Sequence, residues 1–133
     1  MKNKSMSQRI CVIEDDESIQ DVLRIVLKRA GYETTILSDG RTIFENNYTI
    51  PDLFLIDKQL PGPDGFTICS YLKSKRQTNT IPIIMMSAYP GIEQLSILAG
   101  ASAFIEKPFE VKTLVSMIRS HIPEETPVKD FSH

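Results

Sequence analysis

Apolar residues along the chain fall into short runs that alternate with longer segments of mixed character. Residues 10–13, 53–56 and 81–86 form such runs, and 103–105 is a shorter one. A continuous apolar run bounded by polar or turn residues is typical of a strand buried on both faces of a sheet. Residues 32–37 add a candidate strand because Thr34, Thr35 and Ile36 are β-branched. The pattern therefore predicts five strands.

Segments with apolar residues at helical spacing separate the predicted strands. Helices are predicted over residues 18–30, 41–47, 66–74, 92–99 and 110–121. Gly31 is a natural residue to follow the first helix, and Pro123 ends the last one. The second helix depends only on Ile43 and Phe44. Strands and helices that alternate in this way predict an α/β fold, a doubly wound parallel sheet with helices on both faces.

Composition and charge narrow the class of protein. The chain of 133 residues is long enough for one domain with its own core. A net charge of −2 gives no reason to expect nucleic-acid or membrane binding, and no apolar run approaches the about 18 residues of a membrane span. Cys11 and Cys69 lack metal-site spacing, which favours two reduced thiols in a cytoplasmic protein. The polar segments 1–8 and 123–133 are predicted to be flexible.

Polar side chains stand at or just beyond the ends of four predicted strands. They are Glu14, Asp15, Asp57, Ser87 and Lys107. Right-handed crossovers in a parallel sheet bring all carboxyl ends of the strands to one edge, where open α/β sheets bind ligands. We therefore expect three carboxylates, a hydroxyl and an ammonium group to gather at this edge.

This set of groups indicates phosphoryl chemistry. Clustered carboxylates repel one another and need a cation, and oxygen ligands of this kind suit Mg²⁺. A carboxylate such as that of Asp57 can also attack phosphorus and form an aspartyl phosphate. Phosphoryl transfer depends mainly on positioning and charge neutralisation. Lys107 offers a compact positive charge for this purpose, and Ser87 offers a hydrogen-bond donor.

Four motifs, in order and at strand ends, resemble the receiver domain of two-component response regulators, which has the fold of the chemotaxis regulator. The motifs are Glu14-Asp15, Asp57 with Leu60-Pro-Gly-Pro-Asp-Gly65, Ser87-Ala88, and Lys107-Pro108-Phe109. The resemblance spans residues 10–122, so a receiver domain is predicted over 9–122. It implies a flavodoxin-like fold, a five-stranded parallel sheet in the order 2-1-3-4-5 with five helices.

The resemblance also implies a phosphoacceptor and a metal site. Asp57 would take the phosphoryl group, and Mg²⁺ would be the cofactor. The metal ligands implied are Asp15, Asp57 and the backbone carbonyl of Gln59, while Glu14 would contact the metal mainly through water. The run of acids leaves one choice open, because both Glu14-Asp15 and Asp15-Asp16 offer a pair. The apolar Ile19 lies at the distance typical of the family only if the pair is Glu14-Asp15.

A response to phosphorylation is implied by three further residues. Ser87 would be the switch hydroxyl, Phe104 the switch aromatic and Lys107 the lysine that senses the phosphate. The peptide bond between Lys107 and Pro108 is expected to be cis. The face built from the fourth helix, the fifth strand and the fifth helix would then change conformation.

Three features depart from the common pattern of the family. The segment 87–100 is about two residues short and contains Pro90-Gly91, which puts the fourth helix in doubt. Lys58 adds a positive charge directly after the predicted phosphoacceptor. Gln59 and Tyr89 occupy the positions that tune loss of the phosphoryl group in this family, so its lifetime is not predicted.

Partners follow from the resemblance as well. A histidine kinase or a histidine phosphotransfer protein would donate the phosphoryl group, and an effector protein or a fused output domain would read the response. No nucleic acid and no membrane is expected to bind this chain. The chain would be a cytoplasmic signalling domain that catalyses only its own phosphorylation and dephosphorylation, either alone or as part of a hybrid kinase or longer regulator.

Two other functions compete with this interpretation. A phosphatase of the haloacid dehalogenase type also has an Asp nucleophile, but it needs a second acid where this chain has Gln59, and a cap domain. A flavodoxin-like binding protein needs a loop rich in Ser, Thr or Gly after the first strand to hold a phosphate. Here the loop is Glu14-Asp-Asp-Glu17, which would repel one.

Overall fold

Five strands and five helices alternate in the computed structural model, which describes residues 7–122. In chain order they are β1 (Arg9–Ile13), α1 (Glu17–Arg29), β2 (Glu33–Leu37), α2 (Arg41–Phe44), β3 (Leu53–Asp57), α3 (Gly65–Ser74), β4 (Ile83–Ser87), α4 (Glu93–Leu98), β5 (Ala103–Glu106) and α5 (Val111–His121). The segments 1–8 and 123–133, predicted to be flexible, lie outside the described residues except for Ser7 and Gln8.

All strand pairs of the sheet are parallel, in the order β2-β1-β3-β4-β5. β1 lies between β2 and β3, so that Cys11 is opposite Thr35 on one side and Phe54 on the other. The chain therefore moves outward from β1 in one direction and then in the other. The predicted fold class, a doubly wound flavodoxin-like sheet in this order with five helices, is confirmed.

Side chains of each strand alternate between two cores, one on each face of the sheet. Ile10 and Val12 of β1 pack in the core that contains Leu23 of α1 and Leu114 of α5. Cys11 and Ile13 pack in the other, with α2 and α3. Alternation of this kind follows from the two-residue period of a strand. Because both faces are covered, β3 and β4 are buried at all five positions, which explains their continuous apolar sequence.

Three elements differ at their ends from the sequence-based prediction. α2 ends at Phe44 rather than near residue 47, because the backbone of Asn46 has a positive φ of 56° that a helix cannot accommodate. β4 begins at Ile83, two residues later than expected, after Pro82, which lacks a backbone N–H. α4 has only six residues. These are the places where the sequence offers few apolar anchors or contains proline or glycine.

The helices that follow β1 and β3 begin with side-chain caps. Asp16 accepts hydrogen bonds from the N–H groups of Ser18 and Ile19 at the start of α1. Asp64 accepts one from the N–H of Thr67 at the start of α3. Each cap satisfies backbone donors that the helix itself cannot. α4 has no such cap, since its N-cap residue is Ile92.

The two cysteines are free and buried in the same core. Burial raises the pKa of Cys11 to about 12 and that of Cys69 to about 11. Both thiols are therefore protonated and unreactive at neutral pH, in line with a structural role. Among residues 7–122, none of the helices has the length and apolar character required to cross a bilayer.

Candidate functional site

The predicted site residues lie along one edge of the sheet. Glu14 directly follows β1, Asp57 and Ser87 are the last residues of β3 and β4, and Lys107 directly follows β5. Backbone hydrogen bonds fix these ends to one another. The N–H of Lys58 donates to the carbonyl of Met86, and that of Lys107 donates to the carbonyl of Ser87. The edge thus brings together residues far apart in sequence.

Glu14, Asp15 and Asp57 form a carboxylate cluster. Each offers one oxygen atom, and these three atoms lie within 4.8 Å of one another. Glu14 is fully buried and Asp57 is 3% exposed, whereas Asp15 is open to solvent. The Glu14 carboxylate also accepts a hydrogen bond from the N–H of Asp16, which itself caps α1. Of the two candidate pairs, Glu14-Asp15 is the one that lies together with Asp57, since Asp16 does not belong to the cluster.

Lys107 joins the two buried carboxylates. Its Nζ lies 3.0 Å from Oε1 of Glu14 and 3.1 Å from Oδ2 of Asp57. The sequence placed Lys107 beside Asp57, but its ion pair with Glu14 was not foreseen. One ammonium group therefore offsets part of the negative charge of three carboxylates.

Burial and neighbouring charges shift the pKa values of Glu14 and Lys107. Burial raises the pKa of Glu14 above its ordinary value, and the charge of Asp57 adds to this, although the Asp16 N–H and Lys107 act in the opposite sense. Burial alone would lower the pKa of Lys107, but its hydrogen bonds to Glu14 and Asp57 and their charges outweigh burial and raise it. Lys107 is thus held in its charged form, and the cluster still carries an excess of negative charge.

The cluster suits a hard divalent cation. Its donors are carboxylate oxygens, and two of the three come from residues fixed at the ends of neighbouring strands. The exposed Asp15 leaves an approach from solvent. The residues present therefore fit the Mg²⁺ expected from the sequence.

Gly65 closes the loop that follows Asp57. Its N–H donates to the carbonyl of Lys58. A Cβ atom at this position would lie 2.5 Å from the carbonyl oxygen of Asp57 and 2.8 Å from Cα of Lys58. Only glycine allows the loop to return this closely to the end of β3.

Lys58, whose charge was expected beside the site, points elsewhere. Its Nζ lies 3.1 Å from Oδ2 of Asp64, the cap of α3, and 4.9 Å from the centre of the Phe66 ring. The ion pair and the cation–π contact together hold the side chain at the start of α3. Lys107 is therefore the lysine that contacts the carboxylate of Asp57 among the described residues.

Ser87 bonds to the loop after Asp57 rather than to the acids. Its hydroxyl donates to Oε1 of Gln59 at 3.1 Å and accepts from the N–H of Tyr89 at 3.0 Å. The N–H of Gln59 donates to Oδ1 of Asp57 at 3.1 Å. The sequence had singled out Gln59 for its backbone carbonyl and as a position that tunes loss of the phosphoryl group, but the bond of its side chain to Ser87 was not foreseen. No pattern in the sequence indicates such a contact, because it depends on the rotamers of both side chains.

Phe104 and Tyr89 differ in burial. Phe104 is partly buried, lies opposite Met85 in the pairing of β4 and β5, and packs against the core beneath α2 and α3. Tyr89 is 59% exposed. The peptide bond between Lys107 and Pro108 is cis, as the resemblance implied. The structure thus places Phe104 against the core on the side of α2 and α3, on the strand that Lys107 follows.

Comparison with known proteins agrees with the fold and with the family that the sequence motifs resemble. The sequence profile of the response regulator receiver domain matches residues 10–119. The chain is 36% identical over 121 residues to the DNA-binding response regulator MtrA of Mycobacterium tuberculosis, which covers 89% of this chain and 52% of MtrA. The chain spans about half the length of the curated relatives it matches.

Two solved structures are similar over almost their whole length. A putative response regulator from Chloroflexus aurantiacus has a TM-score of 0.82 and 31% identity, covering 87% of this chain and 98% of that one. The receiver domain of the sensor histidine kinase PA1611 from Pseudomonas aeruginosa has a TM-score of 0.79 and 26% identity, with the same coverage, and holds a magnesium ion in its active-site cleft. The profile match, these similarities and the sheet order agree, and the chain belongs to the response regulator receiver domain family.

Proposed function

We propose that Asp57 accepts a phosphoryl group from a phosphohistidine and that this modification switches the domain. The observation that supports the proposal best is the environment of the Asp57 carboxylate. It lies at the end of a fully buried strand, in contact with Lys107 and within 4.8 Å of Glu14 and Asp15. A carboxylate that is fixed, shielded from bulk water and next to both a cation and a candidate metal site is suited to phosphoryl transfer.

The reaction is a displacement at phosphorus. A carboxylate oxygen of Asp57 forms the new P–O bond while the bond from phosphorus to the donor imidazole nitrogen breaks, and the electron pair remains on that nitrogen. Lys107 offsets negative charge on the phosphoryl oxygens from its position 3.1 Å from Asp57. Hydrolysis of the aspartyl phosphate later returns Asp57 and inorganic phosphate. The domain in this proposal acts only on its own phosphorylation state.

Glu14, Asp15, Asp57 and the backbone carbonyl of Gln59 would hold Mg²⁺. When bound, the ion neutralises charge on the phosphoryl oxygens and orients them. The residues of the chain supply the rest. Glu14 is fixed by the N–H of Asp16 and by Lys107, and its burial keeps this side of the site from rearranging.

The response would involve Ser87, Phe104 and the face built from α4, β5 and α5. The burial of α4 supports this. Among the residues of this helix only Ser96 is buried, and Leu95 and Leu98 are 52% and 81% exposed. A short helix with few buried contacts costs little to move. Ser87 lies at the end of β4, directly before the loop that leads to this helix.

A histidine kinase or a histidine phosphotransfer protein is the proposed donor. The output is proposed to lie outside this chain, either in a separate effector or in a fused domain, since the chain spans about half of relatives that are DNA-binding regulators. The receiver itself, with a net charge of −2, has no excess of positive charge for nucleic-acid binding.

The assignment of Asp57 is tested by incubating the protein with acetyl phosphate and Mg²⁺ and measuring its intact mass. Wild type should gain one acid-labile phosphoryl group, and Asp57→Asn should gain none. Asp52→Asn is the matched control, because Asp52 directly precedes the opposite end of β3, where its carboxylate binds the N–H of Arg9. Stoichiometric labelling of Asp57→Asn, or its loss in Asp52→Asn, would show that Asp57 is not the acceptor.

A further inference from the structure

The Ser87 hydroxyl is fully engaged within the protein. A hydroxyl group has one proton to donate, and Ser87 donates it to Oε1 of Gln59. The oxygen of Ser87 in turn accepts the N–H of Tyr89. Ser87 is fully buried, so water cannot readily replace a lost partner. A phosphoryl oxygen that needs a hydrogen bond from Ser87 must therefore compete with Gln59 for the same proton.

Gln59 forms hydrogen bonds with both Asp57 and Ser87. Its backbone N–H donates to Oδ1 of Asp57, and its side chain accepts from Ser87. It follows the phosphoacceptor by two residues, on the loop that Gly65 closes against β3. Gln59 therefore bridges the carboxylate that would be modified and the hydroxyl that would respond.

We infer that the Gln59 side chain is a latch that holds the Ser87 hydroxyl in its resting orientation and opposes its turn toward a phosphoryl group on Asp57. This inference rests on the proposed function and assigns Gln59 as a positioning residue. In the resting state the latch satisfies a buried hydroxyl. In the phosphorylated state the Ser87 hydroxyl donates its hydrogen bond to a phosphoryl oxygen instead of to Gln59. The half-buried side-chain amide of Gln59 then hydrogen-bonds to water.

Removing the latch should strengthen the binding of a phosphoryl mimic rather than weaken it, and this unusual direction makes the latch testable. Gln59→Met keeps the length of the side chain and the backbone carbonyl but removes the acceptor. The resting state then loses a hydrogen bond that the phosphorylated state does not have. Beryllofluoride, which mimics a phosphoryl group and is not hydrolysed, should bind the variant about three- to tenfold more tightly in the presence of Mg²⁺, the range expected for one neutral hydrogen bond.

Three comparisons separate the latch from other roles of Gln59. In a Ser87→Ala background the Gln59→Met substitution should leave beryllofluoride affinity unchanged, because no proton remains to compete for. Beryllofluoride affinity is compared at saturating Mg²⁺, so that any change in metal binding at Gln59 does not enter the result. Gln77→Met is the control for exchanging a glutamine, since Gln77 is exposed on the loop between α3 and β4, far from the site.

The measurements are calorimetric titrations with beryllofluoride and Mg²⁺, together with the NMR shift of the Tyr89 amide without ligand. Removal of the latch should move that amide shift, because Tyr89 donates to Ser87. Equal or weaker beryllofluoride binding by Gln59→Met, or an equal gain in the Ser87→Ala background, overturns the latch while wild-type binding still supports the phosphoacceptor. If wild type itself binds no beryllofluoride, the proposed function fails, and the latch fails with it.

Discussion

Glu14 and Asp57 lie at the ends of β1 and β3, and the helices after these two strands both begin with an aspartate cap. β4 ends in Ser87, and the helix that follows it is short, uncapped and mostly exposed. We call the first region, with Glu14, Asp57 and the capped helices α1 and α3, the acid half of the site. The second, from Ser87 through α4, is the region proposed to respond to phosphorylation, and we call it the response half.

The contrast between the two halves shows how one edge of a sheet can combine a rigid region with a mobile one. A cluster of carboxylates must keep its geometry despite repulsion, and caps, burial and Lys107 provide that rigidity. Under the proposed function, the response half would instead have to change conformation for the few kcal/mol that one ligand supplies. We therefore expect neighbouring strands of the same sheet to end in regions of different local stability, which the following three predictions test.

The stability of the acid half should fall most strongly in Lys107→Met. The substitution keeps the length of the side chain but leaves Glu14 and Asp57 buried without their shared cation. Removing one partner of a buried ion pair is strongly destabilising, and we expect a loss of about 3 kcal/mol in the free energy of unfolding without Mg²⁺. Urea denaturation in EDTA measures it, and millimolar Mg²⁺ should recover much of the loss by binding the folded state.

Lys58→Met is the matched control for this substitution. Lys58 also follows a strand and also pairs with an aspartate, at 3.1 Å, but the Asp64 side chain is 38% exposed, against 1% for Glu14 and 5% for Asp57. Exposed pairs contribute little, so the loss should be under about 1 kcal/mol. Equal losses for the two lysines would mean that Lys107 does not hold the acid half together.

The second prediction compares equivalent amide groups in three helices. The N–H groups of Gln20, Ile68 and Ser96 each donate to the carbonyl of the residue at the N-cap of their helix, in α1, α3 and α4. All three residues are buried. Because α4 lacks a cap and is short, its opening free energy should be about 2 kcal/mol lower, and Ser96 should exchange about thirtyfold faster.

Native-state hydrogen exchange followed by NMR measures this difference. Since the three amides share burial and position within their helices, the comparison isolates the local stability of each helix. Protection of Ser96 equal to that of Ile68 would remove the distinction between the two halves of the site.

The smallest effect concerns the cap of α3. Burial acts to raise the pKa of Asp64, but the Thr67 N–H, Lys58 and the Thr67 hydroxyl outweigh it and lower that pKa below its usual 3.8. A depressed folded pKa means that the stabilisation is present above the unfolded pKa and is lost as pH falls through the folded one. Asp64→Ala should cost about 1 kcal/mol at pH 7, with a smaller difference from wild type below about pH 4.

Asp64→Asn is the control in the same series, because asparagine retains an acceptor for the helix N–H but carries no charge. Its cost should be smaller than that of alanine at neutral pH. A cost of Asp64→Ala that stays constant from pH 7 to pH 3 would contradict a charged cap. Chemical denaturation at several pH values measures both variants.

Much of the fold could be predicted because a strand that is buried on both faces has a continuous run of apolar residues. The runs at 53–56 and 10–13 became β3 and β1, and the polar residues directly after them came to one edge, as parallel strands require. Element ends were predicted less well. The end of α2 depends on the backbone of Asn46, and the start of β4 on Pro82, where local geometry decides within one or two residues.

The internal contacts of the site could not be predicted in the same way. Which carboxylates Lys107 reaches, and that Lys58 turns to Asp64, depend on rotamers and on competition between charges in three dimensions. The bond between Ser87 and Gln59 joins residues 28 positions apart and leaves no periodic signal. Spacing indicates which groups meet at an edge, while packing decides which of them touch.

The two ion pairs of Lys107 also have a consequence for folding of the domain during translation. They span 93 residues to Glu14 and 50 residues to Asp57. At translation rates of about 5–20 residues per second, Lys107 is synthesised several seconds after Asp57. Throughout that interval the nascent chain contains both acids but not the cation that pairs with them. The unpaired carboxylates would then oppose closure of the sheet edge, and we expect stable folding of the domain to await the synthesis of β5.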